Sequence, residues 1–303
     1  MDIAIMLEGQ NGLNWPRFQR IAQLVEAVGF AGLYRSDHFT NAQSPDIDSL
    51  ELWVSLTWLA SHTKRIEFGQ LVSPVSFRDP VFTARMAKDV DDLSGGRLNL
   101  GVGAGWQERE HTNFGFDLLA IPDRFARFAE GLEVISALLR SDTPVSFSGN
   151  YYQLNEAILL PRPQRPGGPP IVIGGNGEKL TLPLVARFAN EWNGVYLPPA
   201  RYAERSRRLD ELLVANGRQP GDVRRTLMTG VFFAPTAGEL EQKLQAGGHT
   251  AEGLRGRGAI VGTPQTFKEQ LAAVAAVGVQ RIMLQWLDLD DLAGLEALAK
   301  AVL

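Results

Sequence analysis

The chain has 303 residues, an ordinary apolar share of 45% and a formal net charge of -4. The slight acidity gives no reason to expect nucleic acid or an anionic membrane surface as a partner. The absence of cysteine excludes disulfides, thiolate metal sites and a cysteine nucleophile, and fits a reducing compartment.

Strand-like and helix-like segments alternate along the whole chain. DIAIML (2–7) precedes a helical pattern over 15–28, and AGLYRS (31–36) precedes one over about 49–60. IEFGQLV (66–72) leads to a helix starting near Pro80, where proline suits a first turn. RLNLGVG (97–103) is followed, after a loop, by a long helix over about 123–139. PIVIGG (170–175) runs through Asn176 and Gly177 into EKLTLPLVARFAN, whose Leu180, Leu184, Val185 and Phe188 have helical spacing. EWNGVYL (191–197) leads to a helix over 199–214, RRTLMTGVFFA (224–234) to further helical segments, and QRIMLQW (280–286) to the closing LAGLEALAKAVL. The strands are apolar throughout rather than alternating, as expected of parallel strands covered on both faces. Eight such units in this length favour a (β/α)₈ TIM barrel, one domain over 1–303, rather than an open doubly wound sheet. Two stretches read as insertions: 141–168, with a hairpin-like VSFSGNYYQL and a proline-rich tail, and 246–263, rich in glycine and arginine. Long loops of the second kind serve as lids or as plain connections. MDIAIMLEGQ has no basic region before an apolar block, and no stretch reaches membrane-span length, so a cytoplasmic protein without a membrane partner is expected.

Active sites of such barrels lie at the C-terminal ends of the strands. There the sequence places Leu7 to Gly9, Ser36 to Phe39, Gln70 to Val72, Gly103 to Trp106, Gly174 to Gly177, Trp192, Asn193, Tyr196, Gln285 and Trp286. Aromatic, amide and glycine residues suit a flat ligand with polar edges more than a metal. The four histidines share no ligand spacing, so no metal site is expected. GVGAGW is not the dinucleotide fingerprint, and neither a Gly-Lys-Ser/Thr phosphate loop nor a Gly-x-Ser-x-Gly elbow occurs. His38 is the best acid/base candidate, because imidazole titrates near neutral pH. It stands beside Asp37, although adjacent strand residues face opposite ways. The strand–glycine–helix junction at Gly174–Gly177 favours an anion at the helix start, or is only a tight turn.

SDHF (36–39), LVSPVSFRDP (71–80), LSGGRLNLGVGAGW (93–106) and IGGNGEKLTLPLVARFANEWN (173–193) together resemble the bacterial luciferase-like flavin and deazaflavin oxidoreductases. The likeness covers about the first two-thirds of the chain, and the glycine turn is most like the branch using coenzyme F420, a 5-deazaflavin; FMN-using relatives share the barrel. The resemblance implies His38 as the catalytic proton partner beside the ring. It implies cofactor contacts from Asp37, from Gln70 and Leu71 with a cis peptide between them, and from Gly103 and Ala104. It also implies a phosphate held at Gly174, Gly175, Asn176 and Gly177. The Arg255–Arg257 segment would meet an acidic cofactor tail or anionic substrate, or be a solvated loop. In the sugar-phosphate dehydrogenase branch a glutamate directly follows the glycines; here Trp106 stands there, with Gln107 and Glu108 after it. That favours an apolar or aromatic pocket walled by Trp106, Trp192, Tyr196 and Trp286. The expectation is hydride transfer between F420 and a small organic substrate, in a homodimer as relatives commonly are. The alternatives are an FMN-dependent monooxygenase, a non-catalytic flavin-binding protein, or a barrel hydrolase or aldolase acting on a phosphorylated substrate.

Overall fold

The computed structural model describes all residues, Met1–Leu303. Eight parallel strands close into a barrel: β1 (Asp2–Leu7), β2 (Gly32–Arg35), β3 (Glu67–Gln70), β4 (Leu98–Gly103), β5 (Ile171–Gly174), β6 (Glu191–Val195), β7 (Arg224–Phe233) and β8 (Arg281–Gln285). Each pairs with its neighbour in chain order, and β8 returns to β1 with Ala4 opposite Met283 and Met6 opposite Gln285. This is the (β/α)₈ architecture expected from the alternation of elements.

Local chemistry sets the helices. Asn14 accepts a hydrogen bond from the Arg17 amide at the start of Trp15–Val28, and Gly29, at φ 104, ends it. Asp79 accepts from the amides of Val81 and Phe82 where Pro80–Ser94 begins. The second helix, expected over 49–60, runs Leu52–His62, because the Glu51 carboxylate accepts from the Val54 amide and fixes the start there. The helices Ile121–Arg140, Thr181–Phe188, Pro199–Ala215, Pro264–Ala276 and Leu292–Val302 complete the outer layer. No helix is long and apolar enough to cross a membrane.

The 141–168 insertion contains an antiparallel pair, Val145–Ser148 with Gln153–Ala157. The 246–263 stretch is not a bare loop. It folds a short helix, Ala251–Gly256, and a strand, Ile260–Gly262, which pairs with Val231–Phe233 at the end of β7.

Strand alternation divides the apolar residues. Ile3, Ile5, Leu7 and Leu33 join the main core of 61 buried residues between strands and helices. Ala4, Met6, Tyr34, Met228 and Met283 form a small separate cluster inside the barrel. Methionine suits an irregular lumen because its unbranched thioether adapts to the gaps. Beneath that layer lies a buried charged one. Arg281, fully buried, donates to Glu67 at 2.6 Å and to the Tyr34 hydroxyl, and lies 3.9 Å from Glu191. Asn99 bridges Tyr34 and Glu67, each at 2.9 Å.

The barrel wall is tightest between β3 and β4. A Cβ on Gly101 would strike the Gln70 carbonyl, and one on Gly103 would lie 2.5 Å from Val72 Cγ2. Gly101→Ala is therefore expected to cost about 3 kcal/mol, the upper end of overpacking. A lowered urea midpoint at constant m would show it; an unchanged midpoint would mean that β3 yields freely.

Candidate active site

The C-terminal rim encloses a cavity of about 420 Å³, within the ~300–1,000 Å³ common for small-molecule and cofactor sites. It receives side chains or backbone from the ends of β1, β2, β5, β6, β7 and β8 and from the loops after β3 and β4.

His38 lines it. Its Nδ1 lies 2.9 Å from Oε1 of Glu110, and the other oxygen of Glu110 accepts from the Phe39 amide at 3.0 Å. His38 Nε2 makes no hydrogen bond within the protein. Glu110 is fully buried on the helix Glu108–Phe114, and Trp106 packs edge-on against the imidazole at 5.6 Å. Burial disfavours the imidazolium, but the hydrogen bond and charge of Glu110, with Glu8 and Asp37, outweigh it and raise the His38 pKa above its ordinary value.

Asp37 faces away from the cavity. It accepts from Arg78 at 2.8 and 3.0 Å and from Ser73 at 2.7 Å, so it ties the loop after β2 to the one after β3. This divergence is the alternation of adjacent residues at a strand end.

A polar chain runs along the cavity. The Tyr196 hydroxyl donates to Gln285, whose amide donates to Glu8 at 2.5 Å. Gln10 donates to the other Glu8 oxygen at 2.9 Å and accepts from Ser36 at 2.7 Å. Glu8 has no Lys or Arg in ion-pair contact, so its charge is held by neutral donors alone. Burial, reinforced by Glu8 and opposed by Arg257, pushes Tyr196 up to about 12.

After β5, Gly174 and Gly175 line the cavity. The expected anion donors need correcting here. The Gly175 amide, at φ 124, already donates to Asn193 at 3.0 Å. The Asn176 side chain is also committed: it donates to the Val195 carbonyl at 2.7 Å and accepts from the Val195 amide at 2.9 Å. The amides of residues 176–179 have no acceptor in the protein, whereas Thr181 and Leu182 both bond Gly177. Donors for an anion therefore begin at the backbone of Asn176, past the two glycines.

Leu71 lines the cavity, while Gln70 is fully buried and does not. The non-proline cis peptide joins Leu71 to Val72, one residue later than expected. Gln70 stays in register with Arg35, and the Leu71 amide still donates to the Arg35 carbonyl at 2.9 Å; beyond the cis bond Ser73 and Pro74 pair with Val102 and Gly103 of β4. Gly103 and Ala104 stand behind the surface, which is formed by Gly105 and Trp106. Of the four expected aromatic walls, Trp106 and Tyr196 line the cavity. Trp192 is fully buried, donates to the Gly175 carbonyl at 2.9 Å and stacks on Tyr202 at 5.0 Å; its neighbour Asn193 takes the inward position. Trp286 is buried and donates to the Asp288 carbonyl at 2.7 Å, outside the cavity. Arg255 is tied to the Val261 carbonyl at 2.8 Å. Arg257 remains exposed, close enough to act on Tyr196.

Sequence reasoning missed Glu110, Gln10 and Met228, while Ser36, expected at the end of β2, does line the cavity. None of those missed stands at a spacing that marks it; Glu110 lies 72 positions from His38.

The luciferase-like monooxygenase family model matches residues 1–250. Relatives include a 4-hydroxyprotoasukamycin monooxygenase of Streptomyces nodosus subsp. asukaensis, 30% identical over 62% of this chain and 49% of its own. Another is an F420-dependent glucose-6-phosphate dehydrogenase of Amycolatopsis mediterranei, 34% identical over 54% of this chain and 47% of its own. The chain thus spans about half the length of these curated relatives. Among solved structures, an F420-dependent secondary alcohol dehydrogenase in complex with an F420-acetone adduct superimposes with a TM-score of 0.85, at 19% identity, over 99% of this chain and 98% of that one. That likeness speaks for the barrel fold, and the family model covers most of the sequence; the chain belongs to the luciferase-like monooxygenase family.

Proposed function

We propose that this protein is an oxidoreductase that binds a tricyclic redox cofactor across the barrel mouth and acts on a small organic substrate. F420 is the preferred cofactor and FMN the alternative. The observation that carries this reading is the pairing, in one cavity, of a proton-holding His38–Glu110 couple with a glycine-lined face leading to unpaired amides. The residues fit such a group. Gly105, Gly174 and Gly175 leave room for a flat ring, Leu71 and Val72 give it an apolar backing, and the 176–179 amides suit a phosphate at the helix start.

When bound, a deazaflavin supplies hydride transfer at its ring carbon, and FMN adds reactivity with oxygen. The protein contributes position, proton control and shielding. Glu110 orients the imidazole through Nδ1 and stabilises its protonated form, leaving Nε2 to deliver or accept a proton at the cavity. Glu8, held by Gln10 and Gln285, lines the cavity with its carboxyl oriented by these two amides. Trp106 and Tyr196 at the rim limit water access. An F420-dependent dehydrogenase among the relatives and an FMN-bound monooxygenase among the solved structures of this fold support both cofactors, and the likeness of the glycine turn to the F420 branch favours the deazaflavin.

Titrating the purified protein with each cofactor, followed by absorbance and ring fluorescence, tests the reading. Saturable micromolar binding of F420 is expected. Binding of FMN alone would reverse the order of cofactors, and binding of neither would end the proposal.

A further inference from the structure

We propose that the opposite, N-terminal face of the barrel carries a second binding site, for a small phosphoryl polyanion such as pyrophosphate, formed by Arg140, Arg165, Arg187 and Arg218. These arginines line a cavity of about 500 Å³. Pro170, just before β5, and Asn190, just before β6, also line it, which places it at the strand starts and away from His38.

No carboxylate lines the cavity. Two arginines have acidic partners outside it: Arg187 pairs with Glu133 at 2.6 Å and Arg165 with Asp91 at 2.9 Å. Arg140 and Arg218 have none within ion-pair reach. Arg140 makes one hydrogen bond, to the Phe188 carbonyl at 3.3 Å. Arg218 donates to the carbonyls of Ala186, Ala189 and Asp222 at 3.1, 2.8 and 3.2 Å. The nearby Asp222 carboxylate is turned to the Gln219 amide at 2.9 Å. Burial, with the like charges of Arg140 and Arg225, holds Arg218 below its ordinary pKa despite Asp222. Guanidinium groups do not deprotonate to relieve such crowding, so the charge remains for a ligand to neutralise.

Helix capping alone accounts for only part of this arrangement. It uses a single N–H of Arg140 and needs neither Arg165 nor Arg187. The remaining donors suit the paired oxygens of phosphoryl groups, which arginine binds in bidentate fashion. The cavity's polar lining excludes an apolar ligand, and its volume admits two phosphoryl groups.

The helix Thr181–Phe188 begins beside the unpaired amides of 176–179 and ends in this cavity, so the test must separate two anion sites. The full-length protein is titrated with pyrophosphate by calorimetry, and amide hydrogen exchange is measured with and without it. Protection is expected at 165–168 and 187–190. Arg140→Gln and Arg187→Gln, which leave the carbonyl bonds of Arg218 intact, should each weaken binding roughly tenfold, as for loss of a charge-assisted contact. Circular dichroism confirms that both variants fold. Orthophosphate should bind more weakly than pyrophosphate; equal affinity overturns the assignment to a polyanion. No binding at millimolar pyrophosphate, affinity unchanged in both variants, or protection confined to 176–179 overturns the site and leaves the arginines as helix caps.

Discussion

His38→Ala lowers turnover by about 10²–10⁴-fold, the usual contribution of a positioned acid or base, while cofactor affinity stays close to that of the parent protein. The ring touches Trp106 edge-on and forms one side of the cavity without holding the glycine-lined face, so its loss removes a proton site more than a binding site. Steady-state kinetics beside a cofactor titration separates the two effects. Full activity with alanine at position 38 would remove His38 from the chemistry. A protein that binds cofactor but turns over no substrate, with or without His38, would point to the non-catalytic alternative.

Glu110→Gln gives the finer test of the same couple. Glutamine keeps an acceptor for the Phe39 amide but removes the charge that raises the His38 pKa. Burial then prevails and the pKa falls. The acidic limb of kcat/KM, and the ring titration followed by NMR, both move to lower pH. The sign for stability follows from the same shift. A histidine whose pKa is raised on folding binds its proton more tightly in the folded state. Its stabilisation is complete below the ordinary value of 6.5 and is lost as pH rises through the raised value. The variant should lose that slope. A titration identical to the parent's would show that Glu110 does not set the charge on His38.

Arg281→Met destabilises the fold by about 3–5 kcal/mol, the range for removing one partner of a buried ion pair. Arg281 is fully buried and Glu191 is 3% exposed in its side chain. Burial already raises the Glu191 pKa despite Arg281, so removing the cation leaves a carboxylate with little compensation. Adding Glu191→Gln should recover part of the loss. Urea denaturation at constant m measures both, and a methionine variant as stable as the parent would mean that the charged layer is dispensable.

The glycines and amides of the rim were legible because they follow strand-like runs, and a barrel places its site where the strands end. His38, Leu71, Trp106, Gly174, Gly175 and Tyr196 line the cavity. Trp192 does not, although it also stands near a strand end. In EWNGV the four residues Glu191 to Gly194 are all buried, polar and apolar alike, so no alternation of character along the strand distinguishes inward Asn193 from outward Trp192. The cis peptide lies one residue later than expected because sequence does not show where the chain exchanges its bond to β2, last made by the Leu71 amide, for pairing with β4, which begins at Ser73. Arg140 and Arg218 were not singled out, since each ends or follows a helix and reads as an ordinary solvent-facing charge.

Short-range patterns by themselves determined the succession of eight strand and helix units, and with it the closed barrel and the end that bears the cavity. Tertiary structure decided which groups meet. Closing the barrel sets β8 beside β1, so that Gln285 reaches Glu8 across 277 positions, and the loop after β4 brings Glu110 to His38 across 72. Periodicity records how each segment is buried; it carries no information about which distant segment does the burying, and the pairing of His38 with Glu110 depends on such a distant contact.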